Sequence, residues 1–288
     1  MEFRPDSALV TAVRASPNHG PRAGAAGPTA IVLHYTGMTD GPAAIRWLRD
    51  PASQVSCHYV VEENGAVLQL LAEERRAWHA GRSSWHGETD LNSLSIGIEI
   101  VNGGHDFGLP PYPDVQIAAV AALCRDIMDR RGIPPARVLA HSDVAPGRKR
   151  DPGERFPWIA LHARGVVLWV PERGDFGSSL RDGDAGPEVL ALQRDLAEAG
   201  YGVDVNGRFD DITRIVVEAF QRRHRPSTID GVADAGTRAT LRDLLDILRR
   251  EGAPGPSLRH EPGDARPPRT IGRSTPSPDA VGRERSCG

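Results

Sequence analysis

Two histidines, two carboxylates and a lysine stand out as residues able to do chemistry together. The first group lies in VLAHSDVAPGRKRDPG, residues 138–153. Its apolar start reads as a short strand ending on His141, where an imidazole is held firmly. Pro146, Gly147 and Pro152 are turn formers, so the polar loop folds Asp151 back beside His141. A neutral imidazole with a carboxylate suits Zn²⁺. Lys149, in the same loop, is either a solvated charge or a cation aimed at a developing negative charge. A second apolar run, AIVLHYTG at residues 30–37, carries His34 at its end, and Gly37 turns the chain. Three ligands, His34, His141 and Asp151, leave a fourth position for water, the arrangement of a hydrolytic zinc.

The second carboxylate is Glu99, in LSIGIEIV at residues 94–101. Strict alternation puts Ile96, Ile98 and Ile100 on one face of a strand and Gly97, Glu99 and Val101 on the other. A carboxylate among apolar neighbours is costly to bury unless paired or used. Glu99 is therefore either an ion-pair partner of an arginine or a general base with a tuned pKa.

The elements that must position these groups alternate in type. Residues 1–28 are rich in Gly, Pro and Ala and read as an irregular arm. A strand at 31–36 is followed by a helix at 41–50, with Pro42 in its first turn and Pro51 stopping it. Two β-type runs, 58–61 and 66–71, flank Asn64-Gly65, a hairpin dipeptide. A long loop follows with Trp78, His79, Trp85 and His86; its aromatic groups either wall a substrate cleft or cover core edges. Helical spacing over 114–131 places Ile117, Val120, Ala121, Cys124, Ile127 and Met128 on one face, and Gly132 ends it. A short helix at 158–165 and an apolar run at 166–170 finish the unit. This pattern predicts an α/β domain, a mixed central β-sheet flanked by helices, with function at the strand ends.

Five motifs then stand in order: IVLHYTGM (31–38), SCHYV (56–60), AWHAG (77–81), SIGIEIVN (95–102) and the 141–153 loop. Together they resemble the AmpD/AmiD-type zinc N-acetylmuramoyl-L-alanine amidases, whose fold is shared with peptidoglycan recognition proteins. The resemblance covers about residues 16–170. It implies hydrolysis of the amide between N-acetylmuramic acid and L-alanine. Position by position, it makes His34, His141 and Asp151 the zinc ligands, Glu99 the general base and Lys149 the oxyanion-stabilising cation. It places His79 and Tyr35 in the cleft as substrate contacts, Tyr35 also standing beside the ligand His34. A non-catalytic peptidoglycan receptor on the same fold should lack a ligand or the base, and none is missing. A phage-type endolysin would share the chemistry. A zincin-type protease is disfavoured because no His-Glu-x-x-His helix occurs.

The chain of 288 residues is long enough for two domains. Residues 1–172 form the catalytic unit and Pro171 to Ser178 a linker. Residues 177–249 carry an internal repeat: Asn206-Gly207, Asp210 and Thr213 recur as Asp230-Gly231, Asp234 and Thr237, offset by 24. Each copy is a glycine turn leading to a threonine able to cap a helix, and three short helices give a small bundle. This region is similar to the peptidoglycan-binding modules of cell-wall hydrolases. It contains no acid–base pair, so binding is expected of it rather than chemistry. Deleting residues 177–288 should then leave cleavage of small muropeptides and weaken retention on sacculi. Residues 250–288 have almost no apolar content and read as a disordered tail.

A net charge of −3 gives no polyanion attraction, so nucleic acid is not an expected partner. No apolar run is long enough to span a membrane. Cys57, Cys124 and Cys287 make no disulfide framework and read as reduced or inert. The start lacks the basic and apolar regions of a signal peptide, which favours the cytoplasm, whereas a wall-binding module favours the cell envelope. A monomer is expected.

Overall fold

The computed structural model describes residues 3–24, 27–174 and 177–252. Cys287 and the tail expected at 250–288 lie, from 253 on, outside the described residues. In chain order the elements are β1 (Val10–Val13), β2 (His19–Pro21), β3 (Ala30–Tyr35), α1 (Gly41–Arg49), β4 (Tyr59–Val61), β5 (Val67–Gln69), β6 (Arg75–Ala77) and α2 (Leu91–Leu94). Then follow β7 (Ser95–Ile100), α3 (Asp114–Arg131), β8 (Val138–Ala140), α4 (His141–Val144), α5 (Trp158–His162), α6 (Pro187–Ala199), α7 (Asp211–His224) and α8 (Ala235–Arg250).

Six strands form one mixed sheet in the order β1-β5-β4-β7-β3-β8. β3 runs parallel to both β7 and β8, whereas β4 and β5 form the antiparallel hairpin turned at Gly65. The N-terminal arm is not irregular throughout. β1 pairs in parallel with β5, and β2 pairs with β6 in a small second sheet. These are short edge strands whose partners lie some 55 residues away, so local composition gave no sign of them.

Strand alternation decides what covers each face. Ile31, Leu33, Ile96, Ile98, Ile100, Val138 and Ala140 turn to one face, where they pack against α3 and α5. α3 ends where Gly132 adopts a positive φ and its N–H reaches the Met128 carbonyl. The opposite face has two covers. Val60 and Leu68 pack with Leu48 of α1. Ala30, Val32, Leu139 and Val144 share one apolar core with the three-helix bundle. The sheet and the bundle thus share an apolar core, and the described residues on either side of positions 175–176 are tied to the bundle. The Arg173 amide donates to Thr240 Oγ1 at 3.0 Å, and Leu180 pairs with Ala233.

Within the bundle the 24-residue repeat has a physical basis. Gln193 Oε1 accepts the amides of Asn206 and Gly207, and its Nε2 donates to Thr213 Oγ1. Gln221, four residues beyond the 24-residue register, does the same with Asp230, Gly231 and Thr237, which keep it. The helix caps differ from the sequence reading. Asp210 and Asp234 accept the amides of Thr213 and Thr237, so aspartate caps each helix and threonine stands three residues inside it.

Candidate active site

The parallel register places His34 of β3 directly beside Glu99 of β7. Both lie near the carboxyl ends of their strands, on the face shared by α1 and the bundle. His141 comes one strand over. It does not end β8 as expected; it opens the one-turn helix α4 at the strand's C-terminus. The loop then returns as predicted, and the Ser142 amide donates to the Asp151 carbonyl at 3.0 Å. Three ligand candidates more than a hundred residues apart at the extremes are thereby gathered at one sheet end.

Their geometry is one that could hold a metal ion. His34 Nδ1 lies 2.9 Å from His141 Nδ1 and 3.0 Å from Asp151 Oδ2, and His141 Nδ1 lies 2.9 Å from the same oxygen. Ligand atoms of a tetrahedral zinc stand about 3.3 Å apart for bonds of about 2 Å, so a small outward shift admits the ion. All three residues are buried, and Asp151 Oδ1 has no hydrogen-bond partner. The donor set therefore fits a divalent ion of zinc type.

Hydrogen bonds behind the cluster fix both tautomers. Ser95 Oγ donates to the Leu91 carbonyl at 2.5 Å, so it can only accept from His79 Nε2, at 3.3 Å. His79 Nδ1 is then the acceptor for His34 Nε2–H, at 3.0 Å. His141 Nε2–H donates to the Ala80 carbonyl at 3.2 Å. Each imidazole so presents a bare Nδ1 to the centre, the orientation that outer partners impose on metal-bound histidine. Burial, reinforced by His141, pulls the His34 pKa down to about 4, which keeps it neutral. The two imidazoles hold the Asp151 carboxyl well below the usual range despite its burial.

Glu99, Lys149 and Tyr35 line the cavity around this cluster, with Trp78 and Trp47 on its apolar side. Burial pushes the Glu99 carboxyl well up, Asp151 adds to the rise, and Lys149 opposes it. The cationic neighbour is thus Lys149 rather than an arginine. Glu99 Oε2 is buried without a partner. A carboxylate kept in this state fits proton transfer better than structure. Past Trp78 and Lys149 the cavity continues into a groove of about 410 Å³ flanked by Arg76 and Arg148.

The family described as N-acetylmuramoyl-L-alanine amidase matches residues 24–154, and the peptidoglycan binding domain family matches residues 185–241. The N-acetylmuramoyl-L-alanine amidase AmiD of Escherichia coli K12 is 38% identical over 231 residues, which span 75% of this chain and 82% of AmiD. The chain belongs to the N-acetylmuramoyl-L-alanine amidase family. The amidase is also similar to the structure of E. coli AmiD in complex with the substrate anhydro-N-acetylmuramic acid-L-Ala-D-γ-Glu-L-Lys. That match has a TM-score of 0.66 and 36% identity and covers 78% of this chain and 92% of the other. A second match is AmpDh3 from Pseudomonas aeruginosa in complex with an anhydromuramic pentapeptide, with a TM-score of 0.62 and 30% identity, covering 76% and 92%.

The loop residues of the amidase divide between the two roles open to them, cleft wall and core-edge cover. His79 lines the cleft from a buried position behind His34, whose Nε2–H it accepts on Nδ1. Gly97 makes this possible, since a Cβ there would come within 2.5 Å of the His79 ring. Trp78 does wall the cleft. Trp85 instead packs edge-on against Tyr201 of the bundle, at 5.1 Å between ring centres. Sequence reasoning missed Ser95 and Asn92, whose Oδ1 accepts the His79 and Ala80 amides. Gly97, on the same strand face as Glu99, was the available signal for a ring packed there.

Behind the site His58 is fully buried, accepting the Gly97 amide on Nδ1 and donating from Nε2 to the Arg75 carbonyl. Burial, with the Arg22 guanidinium alongside, lowers its pKa to about 3. The native pKa is depressed below the unfolded value of 6.5, so the unfolded chain takes up protons first as pH falls. The stabilisation is complete above pH 6.5 and is lost below it, at about 1.4 kcal/mol per pH unit for each such histidine. Urea midpoints of the metal-free amidase are expected to fall between about pH 7 and about pH 5. A level midpoint would contradict this account of the buried histidines.

Proposed function

We propose that the amidase uses a zinc ion held by His34, His141 and Asp151 to hydrolyse the bond between the lactyl carboxyl of N-acetylmuramic acid, or its anhydro form, and L-alanine of the stem peptide. The observation that carries this reading is the convergence of three buried donor atoms within 3.0 Å of one another, beside Glu99 and Lys149 in one cleft. The relatives whose structures hold anhydromuramyl peptides support the anhydro form as a substrate.

When bound, zinc acidifies a water and polarises a carbonyl. The residues of the chain do the rest. Glu99 accepts the proton of the attacking water as its oxygen bonds to the lactyl carbonyl carbon. Lys149 balances the negative charge that develops on the carbonyl oxygen. Glu99 then delivers the proton to the alanine nitrogen as the C–N bond breaks. Trp78 and Trp47 keep the cleft partly dry, which strengthens both charge effects.

The bundle, residues 177–249, is proposed to bind the peptidoglycan polymer and so to raise the local concentration of cleavable ends. On this reading the amidase acts at the cell envelope. No helix among the described residues is long and apolar enough to cross a membrane. A receptor without catalysis would have no use for a base with a raised pKa beside an open metal site.

Purified protein is expected to hold about one zinc per chain. Chelation is expected to abolish release of L-alanine-terminated peptides, and added zinc to restore it. Full turnover in the chelated protein would remove the metal from the reaction.

A further inference from the structure

Helix α7 of the bundle runs along the metal loop and grips it at three points. At its N-terminal end Ile215 packs on Gly147 in the middle of the loop, where a Cβ would come within 2.6 Å of Ile215 Cγ2. At its C-terminal end two successive arginines reach opposite ends of the loop. Arg223 Nη1 donates to Asp143 Oδ2 at 2.5 Å, and Tyr201 OH donates to Asp143 Oδ1 at 3.1 Å. Asp143 lies two residues after the ligand His141 and is wholly buried. Arg222 Nε lies 3.6 Å from Glu154 Oε2, and Glu154 lies three residues after the ligand Asp151.

Each contact leads back to the centre. Asp143 Oδ2 also accepts the Ala140 amide at 2.8 Å, which fixes the junction from which His141 projects. Arg223 Nη2 donates to the carbonyls of Val138 and Leu168, and its guanidinium lies 4.2 Å from the Trp158 ring centre. Glu154 Oε2 lies 3.0 Å from His105 Nε2, and His105 Nδ1 lies 2.9 Å from Tyr35 OH, next to the ligand His34. A single helical turn such as α4 cannot hold itself in place. Its orientation, and with it the Nδ1 of His141, must be set from outside.

We propose that α7, together with Tyr201 from the turn after α6, positions the metal centre, with Arg223 and Tyr201 fixing the His141 end of the loop and Arg222 the Asp151 end. The bundle then has a second task besides binding the wall. This rests on the metal assignment above, and one experiment separates the two.

Zinc affinity of the full chain is measured by competition with a coloured chelator, at a temperature where circular dichroism shows every protein fully folded. Arg222→Gln and Tyr201→Phe are chosen because neither leaves a buried charge without its counter-charge. Each is expected to weaken zinc binding about tenfold, and the double variant toward a hundredfold, the range seen when supports of metal ligands are removed. Arg222→Lys, which keeps the charge, is expected to stay within a few-fold of the parent. A purely structural role would lower the melting temperature and leave the zinc affinity of the folded protein unchanged. Unchanged affinity in both single variants, with a parent that binds zinc, overturns the proposal alone. A parent that binds no zinc overturns the metal assignment and the proposal with it.

Discussion

Glu99→Gln is expected to lower the turnover of muropeptides about 10²–10⁴-fold, the range for loss of a general base, while zinc content stays at that of the parent. The substitution keeps the size and shape of the side chain and removes only its ability to take a proton. Glu99 is not among the metal-cluster atoms, and His34, its neighbour in the sheet, is oriented by His79 from the other side. Stability should therefore hold or rise, because a carboxyl with a buried, unpartnered oxygen becomes neutral. Activity lost without stability lost is the pattern of a group kept for chemistry. Turnover of Glu99→Gln equal to the parent would take Glu99 out of the mechanism.

The second large effect concerns the bundle. Deletion of residues 177–288 is expected to give a fragment that aggregates or unfolds, rather than a free-standing catalytic domain. The reason is the shared core. Val32, Leu139, Val144, Trp85 and Leu168 would lose their cover, at about 1.5–3 kcal/mol each when returned to water. Their sum is comparable with the whole stability of a typical domain, about 5–15 kcal/mol. The sequence alone led to the opposite expectation, a fragment that still cleaves small muropeptides. Sedimentation velocity and circular dichroism of the fragment decide the matter. A monodisperse, folded fragment with the turnover of the full chain would contradict the shared-core account.

The contrast between these two predictions shows what was legible. That His34, His141, Asp151, Glu99 and Lys149 would meet around one cavity was legible, because each sits near a strand end or in a loop bounded by turn formers, and the part each plays there is a proposal. The sheet, α1, α3 and the three helices of the bundle were readable from periodicity for the same reason. What escaped depends on contacts between distant segments. β1 and β2 are too short to announce themselves and exist through their partners. The burial of His79 at the cleft depends on the space that Gly97 leaves on another strand. Pro and Gly around residues 171–178 spoke of local irregularity and said nothing about which faces dock. The available clue was Asp143 beside His141, a carboxylate in an apolar setting that demanded a cation, and Arg223 inside a helix with an apolar face.

Hydrolysis of a defined anhydromuramyl tripeptide in ¹⁸O-labelled water, followed by mass spectrometry, bears most directly on the central claim. The zinc-loaded protein is expected to yield a peptide with an unlabelled L-alanine amino terminus, and a muramic acid with one ¹⁸O in its lactyl carboxylate. The metal-free protein is expected to yield neither. Label found in the peptide, or no cleavage by protein shown to carry zinc, would contradict the assignment of this centre to the muramoyl–alanine amide.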